Sequence, residues 1–262
     1  MLFLRSLAFN LFFYAHTIAW LFLLLPTEVM PKVWLLRGVQ SWARINRRAL
    51  EVIAGVRVEL RGLENRPEGG AIYASKHQST FETVSLLDLF TDPTFVLKKE
   101  LLSIPLFGWY AKKAEQIPVD RAAGRAALQS LTRRAREEMA RGRQLVIYPE
   151  GTRRPAGAPP AYKLGVIHLY RELGVPMVPV ALNSGLFWPR HGFLRPPGTL
   201  VVEFLPAIAP GRDPDEAFEE MKTAIETASD RLLREALSAP NPPPMPTVAR
   251  DGRGPVPPVS DD

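Results

Sequence analysis

Short apolar runs alternate with helical segments after about residue 55, and this alternation constrains the fold more than any other feature. Six runs rich in β-branched or aromatic residues predict strands: VRVELRG, AIYAS, TFVLKK, QLVIYP, PMVPVAL and TLVVEFL. Four segments predict helices: FETVSLLDLF, residues 122–141, YKLGVIHLYREL and residues 214–237. Such alternation predicts a layered α/β domain. Pro179 lacks an N–H for a sheet ladder, so its strand is expected at an edge or to carry a bulge.

Chain length and cysteine content narrow the possibilities further. With 262 residues, the chain can form one α/β domain with appendages. It contains no cysteine, which excludes a disulfide framework, a thiolate nucleophile and a thiolate metal site. No other cluster of residues suggests a metal or cofactor site, so neither is expected.

The apolar segment Leu7–Leu25 predicts attachment to a membrane. It reads LAFNLFFYAHTIAWLFLLL and is interrupted by few polar residues. About 20 mostly apolar residues suffice to cross the hydrocarbon core of a bilayer. A secretory signal peptide would have a shorter apolar core and a small-x-small cleavage site, which the following LLLPTEVMPK does not offer. A buried helix of a soluble protein is the remaining alternative.

Positive charges flanking this segment predict its orientation. Only Arg5 precedes it, whereas five basic residues follow it: Lys32, Arg37, Arg44, Arg47 and Arg48. Positive flanks stay in the cytoplasm, so we expect an inner-membrane protein whose bulk faces the cytoplasm. A second, amphipathic stretch follows Pro26 and Pro31. The first 50 residues therefore form either a single span with an extra helix or a helical hairpin dipping into one leaflet.

The C-terminal segment 238–262 differs from the rest. It is rich in proline and nearly devoid of large apolar side chains, so it cannot bury enough surface to offset the cost of ordering. We expect a disordered tail. The chain thus divides into membrane-associated helices (1–50), an α/β domain (51–237) and a Pro-rich tail (238–262).

The net charge of +6 favours an anionic partner, such as a phosphorylated small molecule or an anionic lipid. Nucleic acid is not expected, because the chain shows no zinc-finger spacing, basic-zipper heptads or aromatic-basic RNA signature.

His77 is the strongest candidate for a catalytic base. It lies in SKHQSTFET, just after a predicted strand, where α/β sheets present ligand-binding loops. Glu82, five residues on, could hold one tautomer of the imidazole and stabilise its protonated form. The chain has no GxSxG nucleophile elbow, so the substrate is expected to bring its own nucleophile, such as a hydroxyl.

The turn in VIYPEGTRRP is the second candidate element. Gly151 lets the backbone approach a ligand closely, and Arg153 carries a planar fork suited to a phosphate. An ordinary turn with exposed charge is the structural alternative. Two further segments complete the set: GWYAKKAEQIPVDR, rich in aromatics and lysines and expected as a loop, and the strand VPMVPVALNSG.

Taken together, HQSTFE, FGWYAKKAEQIPVDR, YPEGTR and VPMVPVAL, in this order behind a membrane segment, resemble the four blocks of the glycerolipid acyltransferase family. The resemblance covers roughly residues 55–210. It departs from the usual pattern at Glu82, where the family usually has Asp, and at Arg154, where it often has Ser.

The resemblance implies a fold, an activity and a set of site residues. The fold would be a mixed sheet flanked by helices. The activity would be acyl transfer, from acyl-CoA or acyl carrier protein, to the 2-hydroxyl of a lysophosphatidate at the bilayer, giving phosphatidic acid without a cofactor. His77 would be the base and Glu82 its orienting group. The acceptor site would comprise Glu150, Gly151, Thr152, Arg153, Arg121, Lys98 and Lys99.

Three other functions remain open. The same chemistry could act on a phosphate-free acceptor such as a lyso-ornithine lipid, which would not depend on Arg153 and Arg121. A membrane-anchored binding protein would keep the fold without catalysis. A hydrolase would release fatty acid without an acceptor. The oxyanion stabiliser is also unassigned, and backbone N–H groups near His77 are one possible source.

Overall fold

A seven-stranded mixed sheet organises the protein. In this computed structural model, residues 1–245 are described, apart from the side chain of Arg121. The strand order is β1-β7-β6-β2-β5-β3-β4. Strands β2 to β6 all run in one direction, β7 is antiparallel to β6, and β1 is parallel to β7. The expected α/β architecture with a mixed sheet is confirmed.

The elements have the following bounds. The strands are β1 (Val56–Arg61), β2 (Ala71–Ser75), β3 (Pro93–Lys98), β4 (Ile117–Val119), β5 (Gln144–Ile147), β6 (Met177–Leu182) and β7 (Gly198–Phe204). The helices are α1 (Leu2–Leu23), α2 (Lys32–Ala49), α3 (Phe81–Leu89), α4 (Phe107–Lys113), α5 (Gly124–Ala140), α6 (Gly165–Leu173), α7 (Ser184–Phe187) and α8 (Pro214–Leu237). All six predicted strands and all four predicted helices are present.

Two expectations about local structure need correction. The segment expected as a loop contains helix α4 and strand β4, whose Ile117 is buried and pairs with Val96. Strand β6 is not at an edge, since it pairs with β2 and β7. The register does shift by one residue opposite Pro179, but the extra residue lies in the partner segment that follows β7 and not in β6. Between the pairs Val180↔Phe204 and Met177↔Ile208, β6 advances three residues (180 − 177) and its partner four (208 − 204). The missing N–H of Pro179 falls in this interval.

Side chains from the two faces of the sheet enter two separate apolar cores. On β2, Tyr73 enters a core with residues of α1, α2, α3 and α7, whereas Ile72 enters one with α5, α6 and α8. This division follows from the period of two along a strand. Helices therefore cover both faces, which leaves the ends of the parallel strands as the places where loops can form a site.

Helices α1 and α2 form an antiparallel hairpin that packs on the domain. The Trp20 indole N–H donates to the carbonyl of Gly38 at 2.9 Å, and Tyr110 of α4 donates to the carbonyl of Leu21 at 2.6 Å. Near the other end of α1, the backbone N–H of Arg195 donates to Ser6 Oγ at 2.9 Å. The domain thus holds α1 near both ends.

The outer face of α1 is apolar and exposed. Among residues 1–245, only the segment Leu2–Val29 is a helix long and apolar enough to cross a bilayer. Its large exposed apolar side chains include Phe3, Leu4, Leu11, Tyr14, Ile18 and Phe22. An apolar N-terminal helix is thereby established. The division at residue 50 stays a prediction, and the expected tail falls, from residue 246 onward, outside the described residues.

Candidate active site

Three neighbouring parallel strands, β6, β2 and β5, bring the first, third and fourth sequence segments to one edge of the sheet. His77 follows the carboxyl end of β2, the turn from Glu150 follows β5, and Ser184 follows β6. A backbone hydrogen bond of 2.8 Å from the N–H of Arg154 to the carbonyl of His77 joins the first two loops. The juxtaposition follows from parallel pairing, because the carboxyl ends of parallel strands meet at one edge.

The predicted pair His77 and Glu82 is in direct contact. His77 Nδ1 lies 2.9 Å from Glu82 Oε1. Glu82 sits in the first turn of α3, where the positive end of the helix dipole favours a carboxylate. The same Oε1 accepts the backbone N–H groups of Gln78 and Ser79, each at 2.6 Å. The side chain therefore folds back onto the loop that carries His77 and fixes the loop conformation.

This arrangement selects one tautomer of His77. Glu82 is fully buried and takes up hydrogen-bond donors on both oxygens, which suits an ionised, acceptor-only carboxylate. Nδ1 must then carry a proton and donate it, which leaves Nε2 as an acceptor. Among residues 1–245, no side chain or backbone group hydrogen-bonds Nε2. It is thus available to take a proton from a substrate.

Ser184 is a site residue to which the sequence analysis assigned no role. Its Oγ donates to Glu82 Oε2 at 2.8 Å, and the Ser184 side chain is fully buried. The adjacent N–H of Gly185 donates to the side-chain oxygen of Gln78 at 3.0 Å. Both contacts tie the loop after β6 to the loop after β2. The available signal was the polar NSG that ends the apolar run VPMVPVAL.

Tyr148 is a second residue that the sequence analysis missed. Its ring stacks on the His77 imidazole, with centroids 4.0 Å apart and planes 18° apart. Burial, and then the negative charge of Glu82, raise the pKa of the Tyr148 phenol well above its ordinary value, so it stays neutral. The stacked ring covers one face of the imidazole and restricts rotation of His77.

The backbone amides nearest His77 are not free to stabilise an oxyanion. Gln78 and Ser79 both donate to Glu82, and the N–H of Arg154 donates to His77 itself. Of the backbone N–H groups near His77 that the sequence left open as a source of oxyanion stabilisation, these three are already engaged. They fix the conformation of the loop that carries His77.

Arg153 lies beside the His77 loop. Its Nη1 donates to Thr80 Oγ1 at 2.8 Å, and Thr80 directly precedes α3. Burial lowers the pKa of the half-buried Arg153 guanidinium, nearby Arg190 lowers it further, and Glu82 opposes both. Since an arginine stays charged even so, a cation lies next to the His77–Glu82 pair.

The other turn residues shape the loop on which Arg153 is mounted. Gly151 has a φ of +68°, which few residues with a side chain adopt. Thr152 is exposed. Glu150 is buried and lies 3.3 Å from Lys76 Nζ, which also pairs with Glu226 at 2.6 Å. Burial raises the pKa of the Glu150 carboxyl, and Lys76 opposes the shift. Through its ion pair with Lys76, Glu150 anchors the start of the turn to the loop that follows β2.

The predicted site residues Lys98, Lys99 and Arg121 lie at or just beyond the ends of strands β3 and β4, at the same edge of the sheet as His77 but farther along it. Lys98 ends β3 and is exposed, while Lys99 pairs with Asp120 at 3.3 Å on the surface. Arg121 follows β4, and its side chain lies outside the described part of the chain. Strand β5 separates β2 from β3, so at about 4.8 Å per strand Lys98 is roughly 10 Å from the His77 strand. It makes no contact with the pair.

No metal site is formed by the part of the chain that the structure describes, since no three His, Asp or Glu side chains are grouped to hold an ion. The chemistry available at this edge is instead proton transfer by His77 beside a fixed positive charge.

Comparisons with known proteins agree with this geometry. The Acyltransferase family profile matches residues 57–183, which include the loops after β2 and β5 and end just before Ser184. A 1-acyl-sn-glycerol-3-phosphate acyltransferase of Pseudomonas aeruginosa is 37% identical over 197 residues, covering 75% of this chain and 77% of the relative. One of Limnanthes alba is 33% identical over 156 residues, covering 59% of this chain and 55% of the relative.

A solved structure supports the fold. The 1-acyl-sn-glycerophosphate acyltransferase of Thermotoga maritima superposes with a TM-score of 0.74 at 23% identity, over 88% of this chain and 98% of that one. At this identity the likeness speaks for the fold alone. The extent of the Pseudomonas match, together with the family profile, decides the classification: the chain belongs to the acyltransferase family.

Proposed function

We propose that the protein transfers a fatty acyl group from a thioester donor, acyl-CoA or acyl carrier protein, to the 2-hydroxyl of 1-acyl-glycerol-3-phosphate, giving phosphatidic acid for phospholipid synthesis. The observation that carries this proposal is the His77–Glu82 contact of 2.9 Å, together with the finding that no side-chain hydroxyl within residues 1–245 hydrogen-bonds to the His77 ring. The hydroxyl of Ser184 donates its hydrogen bond to the Glu82 carboxylate and not to His77. An acceptor hydroxyl therefore supplies the nucleophile.

The reaction follows from the tautomer of His77. Nε2 removes the proton of the acceptor hydroxyl as its oxygen attacks the thioester carbonyl carbon. Glu82 stabilises the imidazolium that results. The tetrahedral intermediate collapses with cleavage of the C–S bond, and the imidazolium returns its proton to the departing thiolate. A positioned base contributes on the order of 10²–10⁴ in rate, and holding two substrates together contributes more.

The acceptor phosphate is assigned to the cations of this edge. Arg153 is the first candidate because its hydrogen bond to Thr80 holds it beside the His77 loop. A planar guanidinium binds phosphate oxygens in pairs. Arg121, Lys98 and Lys99 stay secondary candidates on the neighbouring strands. Glu150, Gly151 and Thr152 act through the shape of the turn that carries Arg153.

The site is assigned to the cytoplasmic surface of the inner membrane. Since the domain holds α1 near both ends, the helix lies along the domain, and its exposed apolar face enters one leaflet. Of the two membrane arrangements open from the sequence, this favours the hairpin over a single span. Lys32 and Arg47 pair with carboxylates of the domain, so they also fix the hairpin. The charge of +6 favours an anionic leaflet.

The test is an acylation assay on detergent-solubilised protein with lysophosphatidate and long-chain acyl-CoA or acyl carrier protein, following thiol release and lipid product. We expect phosphatidic acid from the wild type and a loss on the order of 10²–10⁴-fold in His77→Ala. His168→Ala, a change at a half-buried histidine on α6 away from this edge, should leave the rate unchanged. Free fatty acid without acylated acceptor would indicate a hydrolase. Equal turnover by His77→Ala would rule out His77 as the base.

A further inference from the structure

The segment WPRHGFLR (188–195), here called the arginine loop, follows α7 and is firmly held. The buried Trp188 indole meets the rings of Phe9 and Phe13 edge-on, with centroids 5.1 and 5.0 Å away. The Arg195 guanidinium lies over the same indole at 5.2 Å. Its Nη1 donates to the carbonyls of Gly192 and Leu194, at 2.7 and 3.0 Å. The arginine loop therefore has a fixed course.

The arginine loop is coupled to the catalytic pair through α7. The N–H of Trp188 donates to the carbonyl of Ser184 at 2.8 Å, and Ser184 Oγ donates to Glu82 at 2.8 Å. One short helix thus connects the carboxylate that orients His77 to the start of the arginine loop. A group carried by this loop has a defined position relative to His77.

Arg190 is the group that this loop presents next to Arg153. The Arg190 side chain is exposed, and its Nη1 lies 3.4 Å from the carbonyl oxygen of Arg153. Within residues 1–245, the structure forms no ion pair between a carboxylate and either arginine. The proximity of the two guanidinium groups is also apparent in the lowered pKa of Arg153, to which Arg190 contributes after burial.

Two like charges held together without a carboxylate between them destabilise each other, and a bound anion relieves this repulsion. A phosphate monoester suits the pair, because it carries close to two negative charges and three acceptor oxygens. Each guanidinium can donate to two of these oxygens. Among residues 1–245, the one hydrogen-bond acceptor for the Arg190 guanidinium is the backbone carbonyl of Arg153. Its other N–H groups are therefore available to a ligand.

We propose that Arg190 is a second ligand of the acceptor phosphate, which it clamps together with Arg153 and thereby selects a phosphate monoester over a neutral acceptor. This inference rests on the proposed function. Arg190 lies outside the segments whose resemblance suggested site residues, and its role is in binding rather than proton transfer. Losing it should weaken acceptor binding and leave the chemical step intact.

The kinetic test compares Arg190→Gln with the wild type on two acceptors, a short-chain lysophosphatidate below its aggregation concentration and a monoacylglycerol. In Arg190→Gln we expect the KM for lysophosphatidate to rise about 10- to 100-fold over the wild type, the size of effect expected from losing hydrogen bonds to a charged group. The kcat should stay within about twofold of the wild-type value. Turnover of monoacylglycerol should not change. The KM of Arg190→Lys should lie between those of the wild type and Arg190→Gln, because lysine keeps the positive charge but lacks the planar guanidinium that donates two parallel hydrogen bonds. Arg134→Gln, at an exposed arginine of α5, is the matched control.

A binding measurement keeps the test independent of turnover. A calorimetric titration of the solubilised protein with glycerol 3-phosphate should give a Kd at least several-fold higher for Arg190→Gln than for the wild type. If the wild type makes no phosphatidic acid, the proposed function fails while this measurement still decides on the phosphate clamp. An unchanged KM and Kd would overturn the clamp and leave the proposed function standing.

Anionic bilayer lipids offer the same phosphate chemistry, so a third measurement separates the two sources. Cosedimentation with phosphatidylcholine vesicles containing phosphatidylglycerol should be equal for wild type and Arg190→Gln. Weaker vesicle binding by Arg190→Gln, with unchanged kinetics on the soluble acceptor, would assign Arg190 to the membrane surface and overturn the proposal.

Discussion

The two edges of the sheet use buried charge in different ways. At the carboxyl edge, Glu82 is satisfied by backbone N–H groups, a serine hydroxyl and His77. At the amino edge, ahead of β3 and β5, Arg143 is buried and its guanidinium lies 2.8 Å from Asp92 and 2.6 Å from Glu138. The carboxylate of Glu82 is surrounded by neutral donors, unlike its neighbour Glu150, which pairs with Lys76, whereas the cluster around Arg143 pairs full charges with one another.

The difference shows what each arrangement can do. A carboxylate held by neutral donors keeps its negative charge available to a neighbouring imidazole, which can then gain and lose a proton. Fully paired charges have no such capacity. They lock elements together, and here Lys32 extends the cluster to α2 through pairs of 2.9 Å to Asp92 and 2.7 Å to Glu115. In the proposed mechanism the carboxyl edge carries the chemistry, whereas the ion pairs of the amino edge hold the hairpin on the domain.

The largest effect is expected at the carboxyl edge, from Glu82→Gln. A neutral amide cannot stabilise the imidazolium of His77, and its NH₂ group would face N–H donors. We expect kcat/KM to fall on the order of 10²–10⁴-fold, the contribution of a correctly positioned base. The measurement is the initial rate of phosphatidic acid formation at saturating acyl donor, with folding checked by circular dichroism.

Glu82→Asp is the matched control, since it keeps the charge and shortens the side chain by one methylene. It should retain more activity than Glu82→Gln, because aspartate can still accept a hydrogen bond from His77 at some cost in geometry. If the two variants were equally impaired, side-chain length rather than charge would be decisive. Full activity of Glu82→Gln would remove Glu82 from the mechanism.

Much of this edge could be predicted from the sequence, and the reason is local. His77 and Glu82 are five residues apart, and a strand followed by a helix start dictates that such neighbours meet. Ser184 could not be found in this way. It is 102 residues from Glu82 along the chain, and their contact depends on β6 pairing beside β2. The role of Tyr148 depends in the same way on β5 pairing with β2.

The fold shows the same limit. Strands with continuous apolar runs were evident, but β4 has only three residues and exists because it pairs with β3 at the edge of the sheet. Pro179 suggested an edge strand, whereas a one-residue register shift accommodates it inside the sheet. In both cases the deciding interaction is a pairing with a different strand. The local pattern of apolar residues carries no information about such a pairing.

The next largest effect is expected at the amino edge, from Arg143→Met. Removing the guanidinium leaves the buried carboxylate of Glu138 and that of Asp92 without this partner. Breaking a buried pair typically costs about 3–5 kcal/mol, so the free energy of unfolding should fall by about that amount. Activity per folded molecule should be retained at low temperature. Denaturant unfolding followed by tryptophan fluorescence measures the first quantity, and the acylation assay the second.

Arg136→Met is the control for Arg143→Met. Arg136 pairs with Glu172 at 3.4 Å on the surface, and exposed pairs contribute at most about 1 kcal/mol. A similar loss of stability in both variants would mean that burial of Arg143 is not decisive. Loss of activity in Arg143→Met without loss of stability would contradict the division between the two edges.

The smallest effect concerns pH, and the two edges should respond in opposite directions. At the amino edge, the hydrogen bond from Lys32 lowers the pKa of the half-exposed Glu115; burial opposes this shift, and the hydrogen bond from Arg141 adds to it. A lowered pKa contributes stability that is present above the ordinary value of 4.5 and lost as pH falls through the folded-state value. Glu115→Gln should therefore flatten the acid loss of stability.

At the carboxyl edge, burial raises the pKa of Glu150, so its ionisation increasingly destabilises the folded state as pH rises from 4.5 through the raised value, and the full cost persists above that value. As pH falls through this interval, wild type should gain stability relative to Glu150→Gln, whereas it should lose stability relative to Glu115→Gln below 4.5. Unfolding midpoints from pH 7 to pH 3 measure both differences. Slopes of the same sign would contradict the contrast between Glu115, where cations have the larger effect on the pKa, and Glu150, where burial outweighs the effect of Lys76.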